Sequence, residues 1–313
     1  MHIPDGFLSA PVAAVTLVAA GAGLAAALRA ERRDPVPVPA GILGSLAAFV
    51  FAAQMINVPV APGTSGHLVG ATLVAMIVGP WRATLVMAAV LVIQAALFQD
   101  GGLTALGANL IDMGFTGSFV GFAVASLVLR AVRGLRGYAA GAVLGAFAAT
   151  LAGATLTALW LGASGLYPFR GILPVLLVSH SAIGVLEAAL TAAILVTVLR
   201  WRPDLIANPG ASAGPRRPVA MALGLLGVAV LVAGLLAPFA SSLPDGLERA
   251  AIRLGFADRG TTVVPGTLEG GLLHGPIGPV ASVVAAVVGT LLAAVLAWLA
   301  ARSLSRASGV SHR

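Results

Sequence analysis

GILPVLLVSHSAIGVLEAALTAAILVTVLRW, residues 171–201, decides the class of fold. Before Arg200 the run carries two ionisable side chains, His180 and Glu187. As a helix it is long enough to cross about 30 Å of hydrocarbon with some tilt. His180 and Glu187 are two turns apart and share one face. Ionisable groups inside a bilayer usually face the interior of a helix bundle and are functional candidates. Hydrogen bonding that holds neighbouring helices together is the structural alternative. His180 sits near mid-span, which suits a group supporting a ligand, or a gate, better than a direct metal ligand.

Outward from that run the pattern repeats. The chain has 313 residues, is 59% hydrophobic and 9% charged, and has a mean hydropathy of +1.01. Soluble domains carry roughly 25% charged residues. Further apolar runs fall at 7–29, 38–57, 67–79, 81–98, 106–130, 135–162, 218–240 and 276–301. Nine runs predict an all-α polytopic membrane protein. The third is too short to cross alone, and it follows Pro59, Pro62 and the loop Gly63-Thr64-Ser65-Gly66. Non-helical backbone at membrane depth needs protein or a cavity around it, so this loop is expected to dip into the bundle.

Cysteine and lysine are both absent. That excludes disulfides, thiolate metal sites, Schiff-base chemistry and a Gly-Lys-Ser/Thr phosphate loop. Any ATP hydrolysis must come from another subunit. The net charge of +7 is topological. With the N-terminus outside, 14 arginines fall on the cytoplasmic side, among them Arg29, Arg32, Arg33, Arg82 and Arg130. Four fall outside: Arg170, Arg249, Arg253 and Arg259. The asymmetry follows the positive-inside rule, predicts N out and C in, and gives no reason to invoke nucleic acid. The first apolar run has no basic segment before it and carries Asp5, unlike a signal peptide. A Pro/Gly/Ser/Ala-rich linker at 203–217 separates a seven-helix unit, 1–202, from a two-helix unit, 218–313. The latter holds an external loop at 241–275. In that loop Pro244-Asp245-Gly246 signals a turn, and Leu247 to Phe256 reads as a short amphipathic helix.

The opening residues Met1-His2-Ile3-Pro4-Asp5-Gly6-Phe7 carry the chemistry. The Met1 amine, the His2 amide nitrogen and the His2 imidazole can chelate one ion through a five- and a six-membered ring. Planar nitrogen sets favour Ni²⁺ or Cu²⁺ over Mg²⁺, Ca²⁺ or tetrahedral Zn²⁺. A random residue on a frayed terminus is the plain alternative for His2. Pro4-Asp5-Gly6 is a turn that can lay the first residues back into the bundle. His67, at the start of the third apolar run, is then placed to supply a fourth nitrogen. A cation at a helix N-terminus opposes the helix dipole, and a deprotonated amide ligand softens that conflict. Asn109 and Asp112, three apart, are expected on one face of the fifth helix. His274 and His312 read as incidental. A rival reading takes Gly63-Thr64-Ser65-Gly66 as an intramembrane serine protease motif, with Ser65 as nucleophile and His180 as base. Small-residue spacings such as Ala22-x-x-x-Ala26 and Gly141-x-x-x-Gly145 permit close helix contact.

Met1-His2-Ile3-Pro4-Asp5-Gly6-Phe7-Leu8-Ser9, Gly66-His67-Leu68, Gln99 through Asn109, and His180 through Ile183-Gly184 to Glu187-Ala188 together resemble the CbiM/NikM family. These are substrate-binding membrane components of energy-coupling-factor (ECF) cobalt and nickel importers. Pro244-Asp245-Gly246-Leu247-Glu248 resembles the small N component of such importers, fused here through the linker. The resemblance implies a seven-helix substrate-binding bundle with the ion held by Met1, His2 and His67. It also implies two partners, a transmembrane coupling (T) component and a cytoplasmic ATP-binding-cassette ATPase, in a bacterial inner membrane. The ion, Ni²⁺ or Co²⁺, would be cargo, with no bound cofactor and no enzymatic activity of the chain itself. Square-planar nitrogen coordination makes nickel the first choice.

Overall fold

The computed structural model describes residues 1–34, 38–202, 218–261 and 278–307. The linker 203–217, the remainder of the external loop at 262–275, His274 and His312 lie outside the described residues. The fold is helical almost throughout. In order the elements are α1 (Ala10–Arg33), α2 (Ala40–Gln54), β1 (Val58–Ala61), β2 (Thr64–Gly66), α3 (Ala71–Val78), α4 (Pro80–Ile93), α5 (Leu106–Asn109), α6 (Gly117–Ala131), α7 (Gly134–Ala163), α8 (Phe169–Trp201), α9 (Pro218–Leu236), α10 (Gly246–Leu254) and α11 (Gly278–Ala307).

Seven described spans are long and apolar enough to cross a membrane. They are α1, Pro80–Phe98, Leu106–Ala131, α7, α8, Pro218–Phe239 and the α11 stretch Val280–Ser303. Two of the nine apolar runs give shorter helices, α2 with 15 residues and α3 with 8. The helix α1 starts at Ala10, not at residue 7, because the preceding turn places Gly6 at φ +86°. Pro174 lies within α8, near its N-terminal end, and α8 runs on through it.

Two spans change pitch where they approach the site. The helix α4 passes into a π-helix at Gln94–Phe98, and a π-helix at Leu110–Thr116 joins α5 to α6. Wider turns of this kind re-aim side chains. Gln94 donates to Gln54 Oε1 at 2.8 Å, and Gln54 donates to the Val69 carbonyl at 2.7 Å. This buried chain of amides ties α2 and α4 to the segment between β2 and α3. The loop expected to dip into the bundle is the β1–β2 hairpin, antiparallel with a register shift between Pro59 and Ala61, and β2 is fully buried.

The helices α9 and α11 pack on α2 through small residues. Ala48 and Ala52 meet Ala229, Ala233, Ala286 and Ala294, and Ser45 donates to the Ala222 carbonyl at 2.7 Å. Gly141 and Gly145 of α7 let the α6 backbone come close, as their spacing suggested. At the opposite surface to the Arg82–Glu31 and Arg82–Asp34 ion pairs, residues 241–261 form a strap over the N-terminal segment. Ser241 donates to the Asn57 carbonyl at 2.7 Å, Ser65 N–H to the Pro244 carbonyl at 2.9 Å, and Thr261 N–H to the Asp5 carbonyl at 2.8 Å. Asp245 caps α10 by accepting from the Leu247 and Glu248 amides, both at 2.8 Å. Phe256 stands edge-on to Phe7 at 5.4 Å and tilts against Tyr167 at 5.6 Å.

Candidate metal-capture site

The first four residues belong to no helix or strand, so their backbone groups need partners from elsewhere. Asn109 supplies them at Ile3. Its Oδ1 accepts from Ile3 N–H at 2.8 Å, and its Nδ2 donates to the Ile3 carbonyl at 3.1 Å. Gly102 N–H adds a second bond to that carbonyl at 2.8 Å. Asp5 is anchored by the Thr104 amide at 2.7 Å and by the Thr104 hydroxyl. A Cβ at position 102 would overlap the Asp5 backbone, so the close seating requires glycine there. Ile3 is fully buried, and Met1 and His2 nearly so.

This seating brings together the donors that the sequence singled out. The His2 and His67 rings lie 5.5 Å apart, and both line one cavity of 540 Å³. Asn57, Asp100, Asp245 and Glu248 also line it. The His67 Nδ1 donates to the Leu68 carbonyl at 3.1 Å, which leaves Nε2 as a lone pair. The His2 Nδ1 donates to the Asp100 carbonyl at 3.1 Å, and its buried Nε2 has no partner. A six-membered chelate needs Nδ1, so His2 here is in a different ring orientation from the one that chelation demands. A half-turn about Cβ–Cγ exchanges the Nδ1 and Cδ2 positions. The Met1 ammonium meets Asp245 Oδ2 at 2.9 Å.

Electrostatics keep both rings neutral. Burial first, then the Met1 ammonium, lowers the His2 pKa to about 3. Burial first, then His2, then the ammonium, lowers His67 to about 4. Neutral imidazole is the form that binds metal. Burial alone would raise the Asp245 carboxyl, but the ammonium and the α10 amides outweigh it and hold it far below the usual carboxylate range. Asp100 is raised, chiefly by burial.

Among the described residues no three His, Asp or Glu side chains converge as a ready-made metal site. The donor set read from the sequence uses two side chains and two main-chain nitrogens.

Other expectations are modified. The third helix begins at Ala71, not at His67. Glu187 meets its N-terminal end, accepting from the Val69 amide and from Gly70 N–H at 3.0 Å. A carboxylate, which the helix dipole favours, therefore stands where a cation was expected. Asn109 and Asp112 do not act together. The π-helix turns Asp112 toward α7, where it accepts from Thr157 at 2.9 Å and Trp160 at 2.8 Å. Ser65 and His180 form no catalytic pair. The Ser65 hydroxyl donates to the Leu243 carbonyl, and His180 Nδ1 is bonded to the Leu176 carbonyl at 2.8 Å. Asp245 and Asp100 were not singled out as site residues. Asp245 read as a turn residue, and nothing in the local sequence signals that it reaches a chain end 244 residues away.

A multi-pass helical bundle with such a pocket at one end defines a membrane protein built to bind a small polar cargo. Residues 2–205 match the CbiM family, the cobalt uptake substrate-specific transmembrane region, and residues 219–272 match the PDGLE domain. The chain belongs to the CbiM family. A relative in Archaeoglobus fulgidus is 32% identical over 96% of this chain and 98% of its own length. The fused nickel transport protein NikMN of Rhodobacter capsulatus is 34% identical over 74% of this chain and 71% of its own. The cobalt transport protein CbiM of Geobacter sulfurreducens is 36% identical over 75% and 72%. The crystal structure of a truncated transition metal transporter, 35% identical, superposes with a TM-score of 0.54 over 64% of this chain and 99% of that one. Within this family the chain is a cobalt/nickel transport component.

Proposed function

We propose that the chain is the substrate-specific component of an ATP-driven ECF importer, capturing Ni²⁺, or Co²⁺ as second choice, from outside the cell. The ion is held by the Met1 amine, the His2 amide and imidazole nitrogens, and the imidazole of His67. The observation that carries this reading is that His2 and His67, 65 residues apart in the chain, line one cavity with Asp245, whose carboxylate holds the Met1 amine. The His2 amide makes no hydrogen bond among the described residues, so it is free to lose its proton to a metal. Amine and amide give up protons on loading, and binding therefore weakens as pH falls. Nickel leads because planar nitrogen coordination suits it and the divalent affinity order places it above cobalt.

The seven-helix unit 1–202 does the capturing in this reading. The unit 218–313, joined through 203–217, lays its strap over the loaded site. A transmembrane coupling component and a cytoplasmic ATP-binding-cassette ATPase supply the energy, since a lysine-free chain has no phosphate loop of its own. The N-terminus faces outward and the C-terminus the cytoplasm of a bacterial inner membrane.

The test is nickel competition titration on purified, tag-free protein against a variant extended by several residues before Met1. Extension is expected to abolish tight binding while folding survives. Equal affinity in the two proteins refutes the site.

A further inference from the structure

Two buried side-chain amides connect the segments that carry the two imidazoles. Gln54 ends α2 and lines the cavity together with His2 and His67. Gln94 opens the π-helix that follows α4. Chemistry fixes how the two amides face. The Val69 carbonyl only accepts, so the group 2.7 Å from it is the Gln54 NH₂. The Gln54 oxygen then faces Gln94 and takes its NH₂ at 2.8 Å. Gln94 Oε1 is left buried without a partner. Such orphans are costly and uncommon, so the pair keeps its link to Val69 at the expense of one acceptor. Val69 lies two residues after His67, and His67 Nδ1 donates to the carbonyl of Leu68 between them. At the other end, the Gln94 carbonyl accepts the Gln99 N–H and, at 3.3 Å, the Asp100 N–H. The Asp100 carbonyl takes His2 Nδ1 at 3.1 Å. A Cβ on Gly101 would stand 3.3 Å from that same nitrogen, so residues 100–101 wall the ring. Gln99 has φ +54°, the only positive φ outside glycine among the described residues. Backbone of that kind persists where its surroundings hold it.

We propose that Gln54 and Gln94 are positioning residues that fix the spacing of the His2 and His67 rings, and that this spacing sets the preference for nickel over cobalt. The role rests on the capture site proposed above. The rings stand 5.5 Å apart. Each step from one to the other is a hydrogen bond, a side chain or a peptide unit. A binding constellation keeps its geometry, to within about 0.5 Å, only if the groups behind it are locked. Selectivity between neighbouring divalent metals comes from geometry more than from raw affinity, and a square plane of nitrogens suits nickel. When chelation takes His2 Nδ1 from the Asp100 carbonyl, the 100–101 wall still limits where the ring can settle. Neither glutamine touches the ion in this role.

Three substitutions in the full chain separate this role from simple packing. The readouts are nickel and cobalt affinity by competition titration, the ligand-field absorption of the nickel complex, and thermal stability without metal. Gln54→Leu cuts the link to Val69 with an apolar side chain of similar bulk. Nickel affinity is expected to fall by about 10–100-fold, and cobalt affinity by less. The absorption should move from the planar pattern toward that of a higher-coordinate ion. Gln94→Leu keeps the Val69 bond but frees the Gln54 oxygen, so a smaller fall in the nickel-to-cobalt ratio is expected. It takes the place of Gln54→Leu if that variant fails to fold. Ser45→Ala removes a buried hydrogen bond to the Ala222 carbonyl from the same helix, nine residues before Gln54. It measures what lost stability does by itself, and its ratio should match the parent. An unchanged ratio in Gln54→Leu overturns the proposal, as does an equal fall of the ratio in Ser45→Ala. The extended N-terminal variant is run alongside. If extension leaves nickel affinity unchanged, the capture site itself is wrong and this role falls with it. If extension abolishes binding and the Gln54→Leu ratio is parental, the capture site stands and this role alone falls.

Discussion

The Met1 α-ammonium lies 2.9 Å from Asp245 Oδ2, a contact across 244 residues that joins the first residue of the bundle to the strap of the C-terminal unit. It makes the chain end a structural element before any metal arrives. Asp245→Ala is expected to loosen the strap and residues 1–5 together. The cost is about 1–2 kcal/mol, below that of a fully buried pair, because the carboxylate is 22% exposed. Hydrogen exchange should quicken at Ile3 and at Leu247 to Ala251 in the same variant. Faster exchange in the strap with Ile3 unchanged would separate the two elements.

Acid should undock the N-terminal segment. The folded-state values of His2 and His67 are lowered to about 3 and about 4 from 6.5, so the docked form binds fewer protons than the free segment. Stability from this source is complete above about 6.5 and is lost as pH falls from there toward 4 and 3. Exchange at Ile3, corrected for its intrinsic pH dependence, should be flat near pH 7–8 and rise below pH 6.5. His2→Ala and His67→Ala should each flatten part of that rise.

Asn109→Ala removes both hydrogen bonds from the Ile3 backbone, and Gly102 replaces only one of them. Nickel affinity is expected to fall by about 10–100-fold while the bundle keeps its thermal transition. Asn109→Asp should be no better, because a second acceptor would then face the Ile3 carbonyl. Competition titration of the three proteins measures this.

Glu187→Gln replaces a carboxylate that takes two amide protons with a group that has one acceptor oxygen. One N–H of Val69 or Gly70 is left facing an amide NH₂. The expected cost is about 1–3 kcal/mol of stability, with His67, two residues before Val69, displaced and nickel binding weakened. Thermal unfolding and metal titration on the same sample test whether the two losses occur together.

Much of the candidate site could be read before folding because the groups proposed as donors are chemically unusual where they stand. A histidine second from an amino end is a chelator on any fold, and His67 is marked by the glycine- and proline-rich loop before it. Asn109, His180 and Glu187 stood out because polar groups are rare in such apolar runs. Their partners did not, since Ile3, Val69 and Gly70 offer only backbone groups, which every residue has. Asp112 was grouped with Asn109 because α-helical spacing puts them on one face, and the π-helix breaks that spacing.

Composition and charge placement alone determined that this is a helical membrane bundle, because hydrocarbon admits few other structures for a chain this apolar. They also excluded thiolate ligands, since the chain has no cysteine. The tertiary structure decided that the strap closes over the amino end, that Asp245 faces the ammonium, and that His2 turns Nδ1 to the Asp100 carbonyl. Those outcomes depend on close seating between segments tens to hundreds of residues apart, and local sequence exerts no force at that range.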